Sequence, residues 1–210
     1  MKKFLVVLLL VLCAGTLAFA DQAQITFVQG QSGDPAGPYL FDVTQPYPGG
    51  ATTQQYLVCW SDLNPPPFSP TLYNVYTIAN VPVPGPYIGG TVPGTLDVYK
   101  TIAYLSAQLL ASPGNADLQV AVWLAAGLIN PLNPSLPITA GAQTDLTLAE
   151  AAVAQGYDAA GAIFYIPVDD PGNPNSPQPL VGFVPEPGSL MLLGTGILGV
   201  AGAIRRRLAL

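Results

Sequence analysis

The stretch from Gly94 to Ile129 reads GTLDVYKTIAYLSAQLLASPGNADLQVAVWLAAGLI, and it decides the fold because the apolar period changes there. Val98, Ile102, Leu105 and Leu109 recur at i, i+4, i+7 and i+11, which places them on one stripe of a helix. Pro113-Gly114 ends that helix, since proline has no N–H to donate back to the preceding turn. Asn115 supplies a side-chain acceptor for the start of a second helix. Leu118, Ala121, Val122, Ala125 and Ile129 form its apolar face, and Pro131 is expected to stop it.

On either side of this stretch the period falls to that of strands. Ile25–Val28, Tyr39–Val43, Gln55–Trp60 and Leu72–Val81 are β-branched and aromatic runs separated by Gly/Pro clusters, the pattern of short antiparallel strands. Downstream, Thr147-Leu148-Ala149-Glu150 has the letters of a capping box. A third helix is expected from there to Gln155, with Gly156 as its left-handed terminator. Ala162–Val168 and Leu180–Phe183 return to strand character. Strands, helices and strands again predict an α+β fold, an antiparallel β-sheet or barrel with an inserted helical subdomain. No internal repeat interrupts this order.

The chain has 210 residues, enough for one domain with tails. It contains no histidine, which removes Ser-His-Asp triads, Cys-His dyads and His-ligated zinc. Charge is segregated: residues 21 to 188 hold Lys100 as their one base against all twelve acids, a net of −11. Such a field repels nucleic acid and anionic lipid alike. All 23 prolines lie in the same segment, which favours short strands and long connections.

The two ends read as addressing signals. Met1-Lys2-Lys3, the apolar run Phe4 to Leu12 and the small-residue site Ala18-Phe19-Ala20 form a secretory signal peptide over 1–20, cut before Asp21. Cys13 would leave with it, so Cys59 is the single cysteine of the exported body, 21–183, and no internal disulfide is expected. In the remaining segment, 184–210, Val184-Pro185-Glu186-Pro187-Gly188 precedes an apolar helix over Ser189 to Ile204 and the basic cluster Arg205, Arg206, Arg207. Sixteen residues make about 24 Å of helix, short of a hydrocarbon layer of ~30 Å, so this membrane helix spans only with help from its flanks. Snorkelling arginines would hold that end in the cytoplasm.

This tail resembles the PEP-CTERM sorting signal of Gram-negative bacteria. The resemblance implies that exosortase and the secretion machinery are partners. It also implies processing near Pro185-Glu186-Pro187, transient anchoring in the inner membrane through the C-terminal helix, and delivery to the cell surface or the exopolysaccharide matrix. A simple bitopic anchor would explain the arginines but leaves the Pro-Glu-Pro triplet without a role.

Within the body the chemistry-bearing candidate is Cys59, in Tyr56-Leu57-Val58-Cys59-Trp60-Ser61-Asp62. Gln119 falls in the first turn of the second helix, with Trp123 four residues on along the same face. These residues resemble the thioester domains of bacterial surface adhesins, in which a strand cysteine bonds the glutamine of a Thr-Gln-x-Ala-aliphatic-Trp motif. Gln119-Val120-Ala121-Val122-Trp123 matches that motif, while Leu118 stands where threonine is usual. The resemblance implies an internal Cys59–Gln119 thioester that a partner's amine or hydroxyl can capture. The competing reading is packing alone, with Gln119 bonded to a loop carbonyl and Cys59 and Trp123 filling the helix–sheet interface.

Other features are bland. Asp169-Asp170-Pro171-Gly172-Asn173-Pro174-Asn175 lacks the bidentate glutamate of a calcium loop. Tyr73, Tyr76, Tyr87, Tyr99 and Tyr104 suit packing more than sugar stacking. Glu150 and Glu186 are absorbed by the capping box and the sorting signal, so a carboxylate pair for a third reading, a glycosidase built on acids alone, cannot be chosen from the sequence. The expectation is a non-enzymatic exported surface or matrix protein, with a covalent adhesin as alternative and with no cofactor, metal or nucleic-acid partner.

Overall fold

The computed structural model describes residues 22–30, 36–83, 94–129, 137–168 and 176–183. Six strands, β1 (Gln22–Gln29), β2 (Tyr39–Gln45), β3 (Ala51–Cys59), β4 (Thr71–Thr77), β5 (Ala162–Pro167) and β6 (Leu180–Phe183), form a closed barrel in the order β1-β2-β3-β6-β5-β4. Every neighbouring pair is antiparallel. Three helices, α1 (Leu96–Ala111), α2 (Ala116–Ala126) and α3 (Ala140–Ala154), lie between β4 and β5 in sequence. The last two strands close the barrel by entering between β4 and β3, so the helical insertion returns the chain to the sheet it left.

Strand alternation sorts the side chains into two cores. Ala23, Ile25, Phe41, Val43, Leu57, Cys59, Tyr73, Val75, Ile163, Tyr165 and Leu180 form one cluster, which fills the barrel. Val58, Trp60, Phe164, Ile166 and Val181 point the other way and pack on Tyr99, Ile102, Leu105, Leu109, Ala121 and Val122 of the helices. β5 is therefore buried at all six positions. Over its first six residues β3 is exposed or half-buried, and it is buried only at its last three, Leu57-Val58-Cys59. Trp60, Tyr99 and Phe164 join sheet to helix with ring centroids 5.3–5.6 Å apart.

The helix stripe read from the sequence is the buried face of α1, where Ile102, Leu105 and Leu109 are fully buried. Asn115 caps α2, its side chain accepting the Leu118 N–H at 3.2 Å. β1 and β3 start earlier than expected, at Gln22 and Ala51, and three further boundaries differ for identifiable reasons. α2 ends at Gly127, whose φ of 67° suits a left-handed cap, ahead of Pro131. β4 stops at Thr77 because Asn80 folds back, its Oδ1 accepting the Thr77 N–H at 2.7 Å. α3 starts at Ala140, capped by Thr139, whose hydroxyl accepts the Ala142 N–H at 3.0 Å. Thr147 is no cap: it sits inside α3 and its hydroxyl donates to the Gln143 carbonyl at 2.9 Å. Glu150 is accordingly a mid-helix exposed residue.

The signal peptide with Ala18 and Ala20, the helix over 189–204, and Pro185, Glu186, Pro187 and Arg205 to Arg207 lie outside the described residues, as do Tyr87 and the 169–175 loop. Among the described residues no helix is long and apolar enough to cross a membrane.

Candidate functional site

β2 and β3 pair with Tyr39 opposite Leu57. Carrying that register two residues further along both strands sets Gly37 against Cys59. Between Gly37 and Tyr39 stands Pro38, which has no N–H for a ladder. The rung that Gly37 and Cys59 would share is instead occupied by a side chain from α2. The buried Gly37 N–H donates to Gln119 Oε1 at 3.1 Å, and Gln119 Nε2 donates to the Cys59 carbonyl at 2.8 Å. The carboxamide thus stands in for a peptide unit at the end of the hairpin.

Helical spacing adds a second donor to the same acceptor. Trp123, one turn after Gln119, donates its indole N–H to the Cys59 carbonyl at 3.1 Å. Gly37 is anchored on its following peptide as well, because its carbonyl accepts the Gly114 N–H at 3.1 Å from the turn joining α1 to α2. Gly114 has a φ of 81°, which that turn requires and glycine supplies without strain. Trp60 continues the backbone alignment, its N–H donating to the Pro179 carbonyl at 3.2 Å.

The site is dry. Gln119 is 0% exposed, Cys59 1% and Trp123 4%. Cys59 belongs to the barrel core beside Leu57 and Leu180, and burial pushes its thiol well above the ordinary value, so the neutral SH is the resident form. Gln119 carries its polar group into this environment with both ends hydrogen-bonded, which is how a buried amide avoids the cost of desolvation. The structure therefore brings Cys59, Gln119 and Trp123 together around one carbonyl. Gly37, which completes the arrangement, was not singled out from the sequence, because its contribution is a main-chain N–H.

The remaining candidates do not form a second centre. Tyr73 and Tyr99 are fully buried and donate their hydroxyls to the carbonyls of Gln178 and Pro82, each at 3.1 Å. Tyr104 packs edge-on to Tyr157 at 5.2 Å. A shallow groove of about 190 Å³ between the helices is lined by Tyr104, Gln108, Asn115, Asp145 and Leu148, with Asp145 its one carboxylate. Partial burial and then the charge of Asp117 raise the Asp145 carboxyl above its usual range. Among the described residues no group of three or more His, Cys, Asp or Glu side chains could hold a metal ion.

Residues 183–207 match the PEP-CTERM protein-sorting motif. The chain thus carries a signal for exosortase-dependent export and membrane-associated sorting to the cell surface. No curated protein matches the chain. Two solved structures are similar to it. One is the N-terminal thioester domain of a surface protein from Clostridium perfringens, as a cysteine-to-alanine mutant: 14% identity, 77% of this chain and 99% of that chain covered, TM-score 0.46. The other is the N-terminal thioester domain of a protein F2 like fibronectin-binding protein from Streptococcus pneumoniae: 10% identity, 77% and 92% covered, TM-score 0.38.

Proposed function

We propose that the exported body is a covalent surface adhesin, which joins Cys59 to Gln119 as an internal thioester and transfers that acyl group to a partner. The observation that carries this reading is the carboxamide of Gln119, wholly buried and hydrogen-bonded to the main chain of the cysteine that would attack it. In the reaction Cys59 Sγ bonds to Cδ of Gln119, the Cδ–Nε2 bond breaks, and the thiol proton leaves with the nitrogen as ammonia. A partner's amine or hydroxyl then takes the acyl group and Cys59 regains its SH. Each molecule reacts once, so the protein is a reagent and not an enzyme, and no cofactor is called for.

The surroundings favour this chemistry. Exclusion of water protects an activated acyl group from hydrolysis. Trp123 keeps the Cys59 carbonyl paired once Nε2 has departed, so ammonia loss leaves no orphaned acceptor there. The sorting tail places such a group outside the cell, where a partner surface, protein or exopolysaccharide, can meet it.

A second reading has its own support: among the described residues the carboxamide bonds main-chain atoms, which a structural pin across an interrupted ladder would also do. Intact mass of the full chain separates the two. A thioester makes it lighter by one ammonia, methylamine restores mass by adding covalently, and Cys59→Ala or Gln119→Ala abolishes both effects. An unreduced mass with no methylamine uptake in the wild type leaves the structural pin.

A further inference from the structure

Resting on the thioester reading, we propose that the main-chain N–H of Gly37 is the oxyanion donor of this site, acting on Gln119 Oε1 when the thioester forms and again when it is captured. Attack of Cys59 Sγ on Cδ turns the carbonyl oxygen into an oxyanion on Oε1, which collapses as ammonia leaves. Attack of a partner's amine on the thioester puts charge on that same oxygen before the sulfur departs with a proton. One fixed donor therefore serves both steps.

Three observations place Gly37 in this role. Its N–H is buried and already points at Oε1 from 3.1 Å. The residue is anchored on the following peptide, where the Gly37 carbonyl is tied to the Gly114 N–H and the chain continues into β2. The site also excludes a side chain at 37: a Cβ there would lie 2.9 Å from Oε1 and 3.2 Å from the Tyr39 ring. Gly37 has no positive φ, so backbone conformation alone does not demand glycine. What demands it is close approach of the carboxamide oxygen to the main chain, a use of glycine where backbone must meet a reacting group.

The test follows loss of ammonia by intact mass after the reduced, full-length chain is refolded, and then the rate of methylamine uptake. Gly37→Ala displaces Oε1 and should slow both steps at least tenfold. Replacing the residue by glycolic acid, which substitutes an ester oxygen for the N–H and adds no Cβ, should slow both by about 10²–10³-fold, the usual effect of removing one oxyanion donor. Gly182→Ala is the control, since its Cβ would meet Leu57 at 2.5 Å, in the barrel core. It should lower the melting temperature while leaving both rates within twofold of wild type. Ammonia loss at the wild-type rate in the ester variant overturns the assignment of Gly37 while leaving the thioester standing. Absence of ammonia loss in the wild type overturns the thioester and the assignment together. If Gly37→Ala does not fold, the ester variant alone decides.

Discussion

Cys59→Ala and Gln119→Ala both remove the proposed cross-link, yet the geometry requires them to differ in stability. The bonds of Gln119 run to main-chain atoms of residues 37 and 59, which Cys59→Ala leaves in place. That variant loses only a small buried group, about 1 kcal/mol. Gln119→Ala loses two hydrogen bonds and strands the buried Gly37 N–H, and an unpaired buried donor costs about 1–3 kcal/mol. The Cys59 carbonyl is spared because the Trp123 indole still donates to it. Gln119→Ala should therefore be the weaker variant by about 2 kcal/mol, which for a body of this size is about 4–8 °C in Tm.

Comparison with wild type then reports the cross-link itself. A bond between residues 60 apart in sequence closes a loop whose unfolded-state entropy is worth about 4 kcal/mol on the scale used for disulfides. With the thioester formed, Cys59→Ala falls about 5 kcal/mol below wild type; without it, the drop is about 1 kcal/mol. Calorimetry on samples whose intact mass has been recorded gives both differences at once. Equal melting temperatures for the two variants would refute the claim that the carboxamide holds Gly37 and Cys59 together. A drop of only about 3 °C in Cys59→Ala, with wild type at unreduced mass, would remove the cross-link.

Burial raises the folded-state values of Tyr165, to about 12, and of Tyr99 and the Cys59 thiol, while in the unfolded chain they ionise near 10.0 for tyrosine and 9.0 for cysteine. Stability should hold below those unfolded values and fall as pH rises from them toward the folded ones; with Cys59 acylated the decline begins near 10.0 rather than 9.0. A melting temperature flat from about pH 8 to 11, which passes both unfolded values, would contradict this. Thr139→Ala removes the α3 cap and the hydroxyl's bond to Asp117, and should cost about 1–2 kcal/mol, read as a lower midpoint in urea. Deleting Arg205 to Arg207 should leave precursor accumulating or misoriented; an intact Ile204-Arg205 junction in material shed from wild-type cells would show that the tail is not processed.

What could be read in advance was whatever the letters encode locally. The α1 stripe and the Asn115 cap were legible because helix periodicity and a side-chain acceptor are properties of neighbouring residues. Gln119 was legible as an anomaly, since a carboxamide on an apolar helix needs buried partners. The start of α3 was not: Thr147-Leu148-Ala149-Glu150 spells a capping box, but a threonine hydroxyl can equally bond the carbonyl one turn back, as Thr147 does to Gln143. Barrel closure was open in the same way, because β5 and β6 have ordinary strand character and their insertion between β4 and β3 is decided by long-range pairing. Gly37 was hidden for a deeper reason. Its part is played by an N–H that nearly every residue owns, and only the register of Tyr39 with Leu57 reveals which N–H faces Cys59.

The charge distribution bears on whether an electrophile of this kind is tolerable in an exported protein. Sibling molecules are the first amines a newly formed acyl group would meet, and the body over 21–183 offers one lysine. That lysine, Lys100, has a side chain 28% exposed, with its ammonium 3.8 Å from the Asp97 carboxylate one helical turn away. The pair is worth little to stability at a surface. The net −11 of residues 21 to 188 keeps copies apart and draws cationic groups from elsewhere. If the Cys59–Gln119 thioester forms, a body of this composition offers its own copies few lysine amines and leaves the acyl group to a foreign nucleophile.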